Sequence, residues 1–220
     1  MVECAAMLRR PLALLAGRLL CTGLFLFALP VAASAATRTI SDAGGNWNST
    51  STWVEGAVPT SADDVVATAT SGNVTITAAA AARSVDLTGY TGTLTHNGGF
   101  ALSIGDATAG ANDNALVFPA SMNYALGSAT TSAVQFVSSS PTEQNVNFGG
   151  KVGGNITFNN SSGSWKLTGD ILTGTAAALS LTKGTLNANG RNVTVGSFDS
   201  SGSNQPRTLI MGDGTWTVTG

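Results

Sequence analysis

The single histidine, His96, stands in the phrase "LTHNGG". With Ser and Asp plentiful along the chain, it could complete a nucleophile–base–carboxylate triad. The Asn97-Gly98 pair behind it is a favoured positive-φ turn sequence, so His96 reads as a turn-flanking residue instead. One histidine cannot supply a tetrahedral zinc set when the only cysteines are Cys4 and Cys21. Asp63 and Asp64 are the adjacent carboxylate pair. Successive strand residues point to opposite faces, so the two cannot converge as an acid–base couple; they read as a polar turn entering Val65-Val66.

Five further aspartates, Asp106, Asp113, Asp170, Asp199 and Asp213, sit in glycine-rich turns whose oxygens would suit calcium. The Gly-Gly-x-Gly-x-Asp spacing of calcium-binding rolls is absent, and "GDG" at 212–214 alone does not replace it. Lys151, Lys166, Lys183, Arg191 and Arg207 are the bases that a polysaccharide lyase or hydrolase could set against a uronate. None of them lies in a dense cluster with carboxylates. Asn48, Asn73, Asn155, Asn160 and Asn192 begin Asn-x-Ser/Thr triplets, the glycosylation acceptor pattern, which a Thr- and Asn-rich chain also produces by composition. Trp165 and Trp216 could stack on sugars. Their matching places in "SGSWKLTG" and "DGTWTVTG" favour inward stacking of one coil on the next. The expectation is therefore no catalytic residue, no metal ligand and no cofactor.

The elements that would position these residues are short period-two bursts: "VTIT" at 74–77, "VDLT" at 85–88, "LSIG" at 102–105, "VQFV" at 134–137, "VNFG" at 146–149 and "ITFN" at 156–159. "WKLT" at 165–168, "LSLT" at 179–182, "VTVG" at 193–196 and "WTVT" at 216–219 continue the series. Each puts two apolar side chains on one face and Thr, Asn or Ser on the other. Gly, Asn, Asp and Ser clusters separate them. The run "TITAAAAARSV" has no amphipathic helical face and makes at most one helical turn or a small-residue strand. Such regular spacing defaults to a sandwich or barrel. The equal short bursts, the polar outer faces and the echo from Trp165 to Trp216 favour a parallel β-solenoid, with an antiparallel β-sandwich as the alternative. Coils of about 20–25 residues would number about eight, stacked over some 40 Å at ~4.8 Å each.

The first 35 residues differ from the rest. Arg9 and Arg10 precede the apolar run "LALLAGRLLCTGLFLFALP", and Ala33-Ser34-Ala35 fits a small-x-small cleavage site, the anatomy of a secretory signal peptide. Setting aside Glu3, Arg9, Arg10 and Arg18 leaves 7 basic and 11 acidic residues of the chain's 10 and 12, a net charge of −4. So few Lys and Arg leave no footprint for nucleic acid or anionic lipid. Residues 36–66 are expected to cap the solenoid, and 67–220 to form its coils. "WTVTG" at the end carries no capping element, so the coils are expected to continue beyond Gly220 or to pair there with another chain.

Trp47, Thr52-Trp53, Gly56, Pro59 and Asp63-Asp64-Val65-Val66, followed by "GNVTIT", "ARSVDLTG" and "GTLTHNG", resemble the opening of bacterial secreted β-helix proteins and, loosely, the eight-glycine extracellular β-helix domain. "LSLTKGTLNANGRNVTVGSF" and "RTLIMGDGTWTVTG" resemble the strand repeats of autotransporter-like surface proteins. The resemblance implies a right-handed parallel β-helix, secreted or at the cell surface, and transfers no active-site residue. The expected role is structural or adhesive, with cell-surface glycans or other surface proteins as partners. The alternative is the N-terminal part of a carbohydrate-active β-helix enzyme, or a sugar-binding module.

Overall fold

Alternation along each short strand leaves one apolar face, which a single strand cannot bury alone; stacking strand on strand hides it. A computed structural model describes residues 35–202 and 204–220. The proposed signal peptide falls almost wholly outside them. The described chain winds through eight rungs with nearly every pairing parallel. The first rung holds β1 (Thr37–Thr39) and β2 (Gly45–Asn46), the second β3 (Asp64–Val66), β4 (Val74–Ile76) and β5 (Ala80–Ala82). The third holds β6 (Ser84–Asp86), β7 (Thr93–His96) and β8 (Ala101–Ile104), the fourth β9 (Asn114–Val117), β10 (Asn123–Leu126) and β11 (Ala133–Phe136). Then come β12 (Glu143–Asn147), β13 (Val152–Gly153) and the long β14 (Asn155–Leu167), followed by β15 (Ile171–Thr173) and β16 (Ala178–Asn187). The last strands are β17 (Val193–Val195), β18 (Ser197–Asp199), β19 (Arg207–Ile210) and β20 (Trp216–Val218).

Three faces result. The first stacks β1, β3, β6, β9 and β12, then the second half of β14, the second half of β16, and β19. The second is carried by β2, β4, β7 and β10 and then, as a separate sheet, by β13, β15, β17 and β20. The third stacks β5, β8, β11 and the first halves of β14 and β16, then β18. β14 and β16 are long because each turns a corner, serving the third face and then the first, with register shifts at the bend around Asn159.

The expected coil length is met in some rungs and exceeded in others. Val65 pairs with Val85, 20 residues on, whereas Val85 pairs with Leu116, 31 residues on. The added residues form the corner loop 105–113, which β14 and β16 replace with continuous strand. The Ala run takes the strand option of the two left open: Ala80 and Ala82 point inward and are buried. The segment expected as a cap already carries β1, β2 and β3. It also carries a 3-10 turn at Thr50–Thr52, with Trp53 packed edge-on against Trp47 at 5.1 Å and its Nε1 donating to the Trp47 carbonyl at 2.9 Å.

The Trp echo is not a coil repeat. Trp165 lies on the first face between Gln144 and Leu186, and the next rung there offers Leu209. Trp216 lies on the second face opposite Val193. Any inward–outward–inward strand phrase fits either face, so similar wording does not fix position. Both indoles do stack inward: Trp165 is fully buried against Phe158 at 5.2 Å, and Trp216 meets Phe198 edge-on at 5.6 Å.

Inside, columns of like side chains run along the axis. Val65, Val85, Leu116, Val146 and Leu167 form one; Ile104, Phe136, Phe158 and Leu181 form another, with the two Phe rings parallel at 4.8 Å. Each fully buried side chain of this size contributes about 1.5–3 kcal/mol. Where a corner brings backbone onto backbone, only glycine fits. Gly105 has φ +136°, and a Cβ there would sit 2.2 Å from the Ser138 nitrogen.

Candidate functional site

His96 ends β7 with its ring inward, wholly buried. Its Nε2 lies 3.0 Å from the Phe100 carbonyl and its Nδ1 2.8 Å from the Tyr124 hydroxyl. A carbonyl only accepts, so Nε2 carries the proton and Nδ1 accepts from Tyr124. Burial pushes the imidazole below its ordinary value, against the Phe100 bond, which favours the charged form. Burial also drives the Tyr124 hydroxyl far up. No Ser or Asp side chain is bonded to the ring in the position a triad requires.

Asp63 lies just before β3 and Asp64 is its first residue, and each is held by its own arginine. Burial opposes the charge on Asp63. The Thr60 amide and hydroxyl, both at 2.8 Å, together with Arg38 at 3.4 Å, outweigh that and lower its pKa. Asp64 accepts from Arg83 through both carboxylate oxygens, at 2.8 Å from Nε, and from the Ser84 hydroxyl at 2.6 Å. The paired carboxylate in turn raises the Arg83 pKa. Sequence patterning does not single out Arg38 and Arg83. Arg38 is the middle residue of β1 and Arg83 immediately precedes β6, and only the stacking of these rungs on either side of β3 brings them to the Asp pair.

The glycine-turn aspartates are dispersed along the rod. Asp170 accepts from the Asn192 amide and side chain of the next rung; Asp199 accepts from Ser201 in its own turn; Asp106 lends its backbone carbonyl to Ser138 and Ser139. No group of three or more His, Cys, Asp or Glu able to hold a metal occurs among the described residues. The bases are dispersed too. Lys151 donates to the Ala120 carbonyl at 2.8 Å, and Arg207 donates to the Gly202 carbonyl. Lys166 pairs with Glu143 at 3.2 Å, and the same carboxylate accepts from Asn187 at 3.0 Å. The Glu143–Lys166–Asn187 link, spanning three rungs, was also missed, because only register brings those positions together.

The triplet asparagines have one use in common. Asn48 donates to Ala79, Asn155 to Thr130 and Asn160 to Val137, each across to another rung. Asn73 accepts from the Thr93 amide, Asn155 from Ala178 and Asn192 from Thr215. On the first face Asp86, Asn114 and Asn145 form a further axial chain, at 2.8 and 3.2 Å. These are the polar ladders expected of stacked rungs, and what they do chemically is satisfy neighbouring coils.

No pocket is found among the described residues. Trp47, Trp53 and Trp165 are buried and Trp216 is half-buried, so no indole offers an open platform. No described helix is long and apolar enough to cross a membrane. The molecule is a parallel β-solenoid. No family model, curated protein or solved structure matches the chain.

Proposed function

We propose that the chain is an exported, non-enzymatic surface protein, a structural or adhesive β-solenoid whose polar faces meet cell-surface glycans or other surface proteins. One observation carries this reading: His96, the Asp pair and the triplet asparagines are spent on contacts within and between rungs. His96 is closed by Phe100 and Tyr124, the Asp pair by two arginines, and all five triplet asparagines by neighbouring coils. A ladder built this way supplies shape and durability, which display and adhesion need more than a cleft.

Two measurements test it together. Expression in a bacterial host should export the protein with a new N-terminus close to Ala36, read by mass spectrometry. Incubation of the product with uronate-containing polysaccharides should release no new reducing ends and no unsaturated uronate, while the immobilised protein retains surface glycans or surface proteins. Retention of the uncleaved chain in the cytoplasm would overturn the export reading. Saturable polysaccharide cleavage would replace the adhesive reading with the enzyme alternative.

A further inference from the structure

The second face is not continuous. Its ladder runs from β2 to β10 and stops; the next rung's strand, β13, begins a separate sheet. The turn 127–132 follows β10 and is tied back to the preceding rung, at 2.8 Å from the Gly127 amide to the His96 carbonyl and at 3.1 Å from the Gly99 amide to the Thr131 carbonyl. Its Ser132 hydroxyl also returns to the His96 carbonyl, at 3.0 Å. On the far side it meets Gly154, where a Cβ would lie 2.3 Å from the Ser132 oxygen. His96 lies one strand in from this break, and its bond to Tyr124 holds β10, the terminal strand of the sheet, to β7.

The surroundings are without compensating charge. β7 is packed between Ile76 of β4 and Leu126 of β10, and Tyr124 leans on Phe118 at 5.0 Å. Residues 87–105 contain no ionisable group with a perturbing role except His96 itself and Tyr90, and 114–142 none except Tyr124. Tyr90 is occupied with the Gly72 and Thr93 carbonyls. Two charges are bonded to these segments: the Lys151 ammonium on Ala120, of the same sign as an imidazolium, and the Asp86 carboxylate, which accepts from Thr88 and Asn114 and is not bonded to the ring. A second proton on His96 would make Nδ1 a donor to the Tyr124 oxygen and leave the buried phenol proton without its acceptor, and no carboxylate is bonded to the ring to offset a buried cation.

We propose that the His96–Tyr124 pair makes this break an acid-sensitive joint, at which protonation of the imidazole releases the turn 97–100 and the β10 edge while later rungs stay closed. The native state favours the neutral ring, so the open state binds more protons below the unfolded histidine value of 6.5. Opening is thus suppressed above pH 6.5 and grows as pH falls, by up to about tenfold per unit.

Amide exchange of the full chain, expressed as protection factors at pH 7.5 and 5.5, reads this directly. Amides bonded across β4, β7 and β10, with Gly127 and Gly99, should lose about tenfold in protection, while those of β15 and β17 keep theirs. His96→Gln offers a donor and an acceptor without titrating, and should hold protection at the joint within about twofold. Equal loss in both proteins, or none in the unaltered one, overturns the proposal. Should the variant not fold, imidazole NMR of the unaltered protein decides. A neutral Nε2–H ring at pH 5.5 in the closed state supports the joint, and a ring titrating near 6.5 with the fold intact overturns it.

Discussion

Arg83 shows how much of this molecule depends on single polar residues. Its guanidinium lies across the Asp64 carboxylate in a pair whose side chains are only 15% and 9% exposed. Removing one member of such a pair strands a charge away from water, which costs far more than the pair itself contributes. Arg83→Ala should lower unfolding stability by about 3 kcal/mol in a denaturant titration. Lys166→Ala, at a pair with about a third of each side chain exposed, should cost no more than about 1 kcal/mol. Equal losses at the two sites would mean that burial does not govern these pairs. At this scale the sequence was readable for what His96 and the Asp pair would not do. Adjacent carboxylates at a strand entry are a poor acid–base couple, and "HNGG" marks a turn. Their partners were not readable: Arg38 is 25 residues from Asp63, Arg83 is 19 from Asp64, and Tyr124 is 28 from His96.

At the scale of the element, the asparagines and the aromatic columns divide the work. Asn155 donates to one neighbouring rung at 2.7 Å and accepts from another at 2.9 Å, so one side chain ties three coils. Asn155→Ala should cost about 1–2 kcal/mol, because two partners lose their bond. The exposed Asn159 on the same strand should cost less than about 0.5 kcal/mol when changed to Ala. Inside, Phe158→Ala should cost about 3–5 kcal/mol, since the ring stacks on Phe136 and touches Trp165 in a fully buried column. Thermal or denaturant unfolding of the three variants checks the order. All ten alternating bursts picked out in the sequence lie in or overlap strands, because alternation records one buried face. Which face each strand joins was not legible. The phrases around Trp165 and Trp216 read alike yet belong to different sheets, and only the lengths of the intervening corners decide that.

Over the whole molecule, acid should act in two steps. Neutral His96 contributes stability that is complete above pH 6.5 and declines as pH falls below it. Asp63 and Glu55 have lowered values, so their contribution is complete above their unfolded values of 3.8 and 4.5 and declines as pH falls below those. A melting-temperature profile should slope gently from 6.5 to 5 and steeply below 4.5. His96→Gln should flatten the first part and leave the second. The architecture itself was legible as a stack of short strands with polar outsides. Uneven rungs were not, since loops such as 105–113 leave the periodicity of the strands untouched.

Cysteine pairs test the parallel, in-register stacking of the rungs most directly. With Cys4 and Cys21 changed to Ser, Ser103→Cys/Gln135→Cys and Thr157→Cys/Ser180→Cys each place thiols on facing positions of adjacent rungs, within disulfide reach. Ser103→Cys/Thr157→Cys spans two rungs, about 9.6 Å, and cannot close. Mild oxidation should bridge both adjacent pairs nearly completely within the monomer and leave the control reduced. Unbridged adjacent pairs beside a bridged control would contradict the stack and every functional inference built upon it.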